Sequence, residues 1–247
     1  MKYLAKIKYV GTDFRGFQFQ PNKRTVQGEL TAACKLALGH DATVTGCSRT
    51  DSGVHANEYC VVIESELATI PAKKLPLAMK SFLPIDISIC SAECVGEDFH
   101  PRYSVRSKEY LYRIVNSEIP DPFEYNRAWF VGRHISDEQI AKMREAANRL
   151  VGKKNFSSFM AEGSKVVDTV RCIEYITVNK SADLIEIKVS ADGFLYNMVR
   201  IIVGTLVDVA FDRIRVEEIE NIILAHDRSA AGQTAPPQGL YLNKVVY

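Results

Sequence analysis

The order of apolar and polar positions divides the chain into two runs of similar make-up. Residues Tyr3 to Val10 alternate and are rich in β-formers, the period of a half-buried strand. Thr25-Val26-Gln27-Gly28-Glu29 opens a helix that runs to about Leu38. Thr25 can cap its start, and Leu30, Ala33, Cys34, Ala37 and Leu38 make one apolar stripe. Gly39 ends it. Ala42 to Gly46 and Glu58 to Glu64 read as strands, Pro71 to Phe82 as a second helix with proline at its start, and Asp86 to Val95 as a further strand. The run is β-α-β-β-α-β, a ferredoxin-like order.

A joint at Asp98-Phe99-His100-Pro101-Arg102-Tyr103-Ser104 leads into the second run. There Tyr110-Leu111-Tyr112-Arg113-Ile114 repeats the apolar/basic rhythm of Tyr3-Leu4-Ala5-Lys6-Ile7. Ser136 to Leu150 is a helix with a Ser136-x-x-Gln139 capping box. Arg171 to Val178 and Leu184 to Ser190 are strands, Phe194 to Phe211 a largely apolar helix, Val216 to Ala225 another helix, and Gly239 to Val246 a closing strand. The expected fold is α+β, two ferredoxin-like halves sharing an extended, mainly antiparallel sheet flanked by helices. The halves are expected at 1–104 and 105–247.

Composition narrows the function classes. At 247 residues and 47% hydrophobic content the chain can bury a large core. Lys+Arg number 31 against 30 Asp+Glu, so no global basic charge advertises nucleic acid, although a local basic face is compatible with that balance. The cysteines at 34, 47, 60, 90, 94 and 172 form no CxxC and have no histidine at zinc spacing; reduced thiols in a cytoplasmic protein are expected. The N-terminus enters a strand directly and lacks a leader's apolar core. Phe194 to Phe211 is interrupted by Asn197, Arg200, Gly204 and Asp208 and is no membrane span. No P-loop or GxGxxG is present, so no nucleotide cofactor is indicated.

Candidate chemistry concentrates between the second and third strands, in Cys47-Ser48-Arg49-Thr50-Asp51-Ser52-Gly53-Val54-His55. Such a loop is often only a turn. Here Asp51 stands among Arg49, Thr50 and backbone donors with no second acid beside it. A carboxylate in that setting stays ionised at neutral pH, which suits a nucleophile or general base better than a general acid. Gly53 marks a position needing positive φ or a close approach. In Gly11 to Pro21, two glycines and three phenylalanines read either as a loop packed on the core through Phe14 and Phe17 or as a surface where Arg15 and Gln18 meet a polyanion. Tyr110 and Tyr112 share a sheet face, as core aromatics or as a platform on which a base stacks. Arg200 lies on an otherwise apolar helix; it either reaches the surface by its stem or pairs with a carboxylate, Asp51 being the candidate and Asp208 the local alternative. No Ser-His-Asp or Cys-His triad can be assembled around His55 by spacing.

Taken together these stretches resemble the tRNA pseudouridine synthase A family. The likeness is carried by Ser48-Arg49-Thr50-Asp51-Ser52-Gly53-Val54-His55, by Gly11 to Gln18, by Asp98 to Ser104, by Phe194 to Gly204, and by Ala235-Pro236-Pro237-Gln238-Gly239-Leu240-Tyr241-Leu242. Ser48 stands where the family has glycine, and Phe17 where tryptophan is frequent. The resemblance implies isomerisation of uridine to pseudouridine in the tRNA anticodon stem-loop, at positions 38, 39 and 40. It implies Asp51 as nucleophile, Arg49 near the flipped nucleotide, Tyr110 as the stacking ring and Arg200 as the cation paired with the nucleophile. It implies no cofactor, since the reaction has no redox step or external reactant, and a homodimer with one tRNA spanning both subunits. Arg15, Lys23, Arg24, Lys153, Lys154 and Lys165 are the candidate phosphate contacts. Two rivals remain: a non-catalytic RNA-binding protein, which has no need of Asp51 beside Arg49, and a glycoside hydrolase, which needs a second carboxylate.

Overall fold

The computed structural model describes residues 1–67, 70–164 and 166–247. Among these, ten strands and five α-helices make an α+β fold that divides into two compact units, Met1–Arg106 with Tyr241–Tyr247, and Ser107–Leu240. The closing segment 241–247, expected with the second half, therefore packs in the first unit.

The first unit contains β1 (Lys2–Tyr9), α1 (Val26–Leu38), β2 (Thr43–Gly46), β3 (His55–Glu64), α2 (Leu75–Met79) and β4 (Ile87–Val95), completed by β10 (Leu240–Val246). Its strands run β4-β1-β3-β10, with β1 antiparallel to both neighbours. Tyr3, Ala5 and Ile7 of β1 are fully buried with Leu4 between them nearly so, and β3 is buried without a break from Tyr59 to Ile63, so both faces of the central strand are covered; Leu30, Cys34, Leu75 and Met79 of the helices are buried as well. Thr25 caps α1 by accepting the Gly28 N–H, and Gly39 leaves it at φ 79. The second helix is shorter than the apolar pattern suggests. A 3-10 turn covers Ala72–Lys74, and α2 proper begins at Leu75 because Pro76, which has no N–H, is tolerated only in a first turn. The thiols of Cys34 and Cys60 are pushed up to about 12 by burial, so they are inert packing groups.

The outer edge of β3 is shared. β2 pairs with it from Thr43↔Glu64 to Gly46↔Val61, and then the chain leaves the sheet. At the other end the vacated place beside His55 and Ala56 is taken in parallel by Tyr241 and Leu242 of β10. The Asp51 loop springs from that gap.

The second unit contains β5 (Ser107–Val115), β6 (Trp129–Phe130), α3 (Asp137–Leu150), β7 (Gly152–Asn155), β8 (Val170–Ser181), β9 (Leu184–Ala191), α4 (Met198–Ala210) and α5 (Glu218–Ala225). Its strands run β5-β9-β8-β7, antiparallel throughout, with the short β6 alongside β5. The capping box at Ser136 and Gln139 forms in both directions. Helix α4 begins at Met198, four residues later than its apolar run, because Asn197 adopts φ 58 and cannot belong to a right-handed helix. Every residue of α4 except Arg200 is buried. No helix among the described residues is long and apolar enough to cross a membrane.

Candidate active site

The Asp51 loop is held through both its backbone and its side chains. The Tyr59 hydroxyl takes both polar groups of Ser48, accepting its N–H at 3.3 Å and donating to its carbonyl, so the serine in place of glycine leaves the anchoring groups intact. Cys47 N–H donates to the Cys60 carbonyl at 2.9 Å. The buried Thr50 hydroxyl shares a 2.8 Å hydrogen bond with the Tyr9 hydroxyl of β1. Val54 N–H closes a turn on the Asp51 carbonyl at 3.2 Å, and Gly53, third in that turn, has φ 81, the conformation that makes glycine the ready choice there. Asp51 thus opens a tight turn and is half-buried, while Arg49 beside it is exposed.

The Gly11–Gln20 segment is the other wall of this clamp. Phe17 N–H donates to the Thr50 carbonyl at 3.1 Å, Gly11 N–H donates to His55 Nδ1 at 2.9 Å, and the Ser52 hydroxyl donates to the Phe14 carbonyl at 3.0 Å. Two glycines permit this fit. A Cβ on Gly11 would stand 1.9 Å from the Val54 carbonyl oxygen, and one on Gly16, at φ 88, would stand 2.6 Å from the Thr50 oxygen. Phe14 and Phe17 are buried, and Phe17 stacks on Tyr59 at 4.4 Å and 21°. The packed-loop reading therefore holds for these two rings, while Arg15 and Gln18 remain exposed on the same segment. His55 is a scaffold residue: it is buried, it accepts a backbone proton, and its ring stacks on Tyr241 at 4.6 Å.

The other candidates lie in the second unit. Tyr110 is buried on β5 with its ring edge-on to Phe194, centroids 4.9 Å apart at 86°. Tyr112 is enclosed: its hydroxyl donates to the Pro236 carbonyl at 2.7 Å, burial pushes its pKa up, and the Arg200 charge draws it down. Arg200 Nε donates to the Ala235 carbonyl at 2.7 Å, and Nη1 donates to Asn197 Oδ1 at 2.8 Å. Asp208, the local acid, instead faces Arg213 at 3.0 Å and accepts the Gln233 N–H at 3.2 Å. Arg200, Gly204 and Asp208 recur every four residues, so they share one face of α4, and an extended strap from Gly232 to Pro236 docks on that face. Gly232 N–H donates to the Thr205 hydroxyl, Ala235 N–H to the Arg200 carbonyl, and the Gln233 carbonyl lies where a Cβ on Gly204 would come within 1.8 Å. The polar interruptions of the apolar helix are the docking stripe for this strap.

Residue pattern assigns Asn197 no role, although an Asn directly before an apolar helix and three residues from its one arginine is a usable signal. The hydroxyls of Tyr9 and Tyr59 were likewise hidden, since strand alternation marks both as core. Two of the cationic candidates are engaged: Arg24 forms a bidentate pair with Asp86 at 2.7 and 2.9 Å, bonds Glu29 at 3.0 Å and lies over the Phe14 ring, while Lys154 donates to the Arg149 carbonyl. Arg15, Lys23 and Lys153 are exposed, and Lys165 lies outside the described residues.

Comparison with known proteins decides what this clamp belongs to. The family model described as tRNA pseudouridine synthase matches residues 5–104 and 146–247. The chain belongs to the tRNA pseudouridine synthase family. Its reaction is therefore an isomerisation of uridine in tRNA. The chain is 44% identical over 241 residues to the tRNA pseudouridine synthase A of Thermoanaerobacter sp., covering 98% of this chain and 97% of that one. It is 43% identical over 247 residues to the enzyme of the same name from Ruminiclostridium cellulolyticum, covering 100% and 99%. With that of Bacillus subtilis it shares 41% identity over 251 residues, covering 100% and 99%. The family model spans Asp51 and Arg200 but leaves out 105–145, which carries Tyr110; the full-length relatives cover that stretch.

Proposed function

We propose that this chain makes pseudouridine in the anticodon stem-loop of tRNA, at positions 38, 39 and 40, with Asp51 as nucleophile and without a cofactor. The observation that carries this reading is the Asp51 turn, clamped by hydrogen bonds from Gly11, Phe17, Tyr59 and Tyr9 to the residues around it while Asp51 itself is left half-buried. Such a clamp orients a reacting group at little entropic cost during the reaction.

The reaction breaks the C1′–N1 bond, turns the uracil and forms C1′–C5; N1 gains a proton and C5 loses one, so nothing is oxidised and no co-reactant is consumed. An ionised Asp51 serves this as a covalent nucleophile or as a base leading to a glycal-like intermediate. The nucleotide first has to leave the stack. Exposed Arg49 is suited to occupy the vacated space and meet phosphate. The plane of the Tyr110 ring is set by its edge contact with Phe194, which suits a surface on which the detached uracil turns. Arg200 supplies a fixed positive charge. A homodimer working in the cytoplasm completes the reading, two small basic faces reconciling a net charge of +1 with a polyanionic substrate.

Carbodiimide mapping of a tRNA carrying uridines at 38, 39 and 40 and elsewhere tests the assignment. Adducts that survive alkali are expected at those three positions only. Modification in another arm would overturn the stem-loop reading, and free uracil appearing in place of pseudouridine would favour a glycosidase. Phosphate contacts are tested by salt. Arg15→Ala, Lys23→Ala and Lys153→Ala are each expected to lower the slope of log affinity against log salt by about one. Arg24→Ala is expected to leave the slope unchanged and to lower the melting temperature, because its charge is taken up by Asp86 and Glu29. An unchanged slope in all three exposed variants removes them from the interface.

A further inference from the structure

The start of α4 carries three features that each oppose helix stability. Asn197 lies in the left-handed region, at φ 58 and ψ 11, which L side chains rarely adopt. Its side chain makes no capping bond to the helix, although an Asn at that position ordinarily accepts an N–H from the first turn. Arg200, third residue of the helix, sets a cation where the helix dipole favours an acid, and no acid is present in that turn. One contact joins them: Asn197 Oδ1 accepts from Arg200 Nη1 at 2.8 Å. The guanidinium carries only donors, so the amide oxygen is the atom that faces it. With the Ala235 carbonyl on Nε at 2.7 Å, two acceptors at different nitrogens fix the plane of the guanidinium as well as its position.

We propose that Asn197 is a positioning residue of this enzyme: its amide, diverted from capping α4, sets the orientation of the Arg200 guanidinium for the isomerisation. This rests on the reading of Arg200 as part of the reacting centre. It assigns a role in catalysis to a residue whose substitution would otherwise be taken as a loss of helix stability.

Asn197→Gly is the informative variant, because glycine accepts the left-handed backbone and removes only the amide. Its single-turnover rate of pseudouridine formation is expected to fall about tenfold with the KM for tRNA within twofold of wild type, the loss of one hydrogen bond to a charged group acting on the rate alone. Asn197→Asp, which restores an acceptor and tolerates the same backbone, is expected to recover most of the rate. In an Arg200→Ala background, Asn197→Gly should cost less than twofold, since there is no guanidinium left to orient. A tenfold loss in both backgrounds, a loss confined to KM, or no loss in the parent enzyme would each overturn the inference. Arg200→Ala working at the wild-type rate is a different failure: it would remove Arg200 from the reacting centre, and with it the role of Asn197.

Discussion

Asp51→Asn is expected to abolish pseudouridine formation, by a factor on the order of 10^4 or more, the scale seen when a nucleophile is removed from an otherwise intact site. The substitution changes neither the shape of the side chain nor the elements that hold the loop. Those elements act on the backbone: Val54 donates to the Asp51 carbonyl, and Tyr59 and Phe17 bind Ser48 and Thr50 through main-chain atoms. The affinity for tRNA is expected to stay within a few-fold of wild type. Single-turnover assays with tritium release from C5 read the first quantity, and filter binding the second. A rate within tenfold of wild type would end the assignment of Asp51 as nucleophile. Normal chemistry with lost affinity would make it a binding residue.

Gly11→Ala should produce a large loss of stability from a change of one methyl group. Gly11 has no positive φ, so backbone freedom is not the issue; the difficulty is the Val54 carbonyl oxygen 1.9 Å from the new Cβ. A side chain could rotate away, but a strand-entry carbonyl cannot, so β1 and the Asp51 loop would have to separate. The expected cost is about 3 kcal/mol or more, which in a chain of this length lowers the melting temperature by roughly 6–12 °C. Gly39→Ala is the matched control. It meets nothing within 4 Å and carries only the penalty of φ 79, about 1 kcal/mol. Activity in the folded fraction of Gly11→Ala should also fall, because the displaced Val54 ends the turn that Asp51 begins. Equal stabilities for the two variants would show that the clamp yields, and that the loop is less rigid than its contacts imply.

Much of this architecture is legible from local chemistry. Thr25 and Gly39 bracket α1, the Ser136 and Gln139 box opens α3, and period-two alternation finds the strands, because caps, turns and alternation are properties of a few adjacent residues. Departures arise where a single residue overrides the apolar pattern or a side chain reaches a partner elsewhere. Pro71 to Phe82 is apolar enough for one helix, but Pro76 divides it. Phe194 to Phe211 reads as one apolar run, yet Asn197 holds its start in a left-handed conformation while bonding Arg200. Tyr9 and Tyr59 fit the core pattern perfectly well and still extend hydroxyls to the Asp51 loop, because a tyrosine can bury its ring and use its tip. Residue type and resemblance nominate Asp51, Arg49, Tyr110 and Arg200 as the candidate site. The strap of 232–236 is not legible in the same way, since it meets the polar side chains of α4 mostly through its own main chain, which residue pattern does not encode.

The sharing of β3 between β2 and β10 has a consequence for the order in which the molecule can be made. On the ribosome, residues 1–106 emerge first, carrying the Asp51 loop and one open place beside His55 and Ala56. Tyr241 and Leu242, which fill it, are translated only after the whole of the second unit. Until then the His55 ring has no Tyr241 to stack on, and the strand edge at the root of the loop is unpaired. Vectorial synthesis thus leaves the nascent first unit unfinished at the end that carries Asp51. Its last hydrogen bonds form only after the second unit has been made, so the loop that carries Asp51 acquires its full support late.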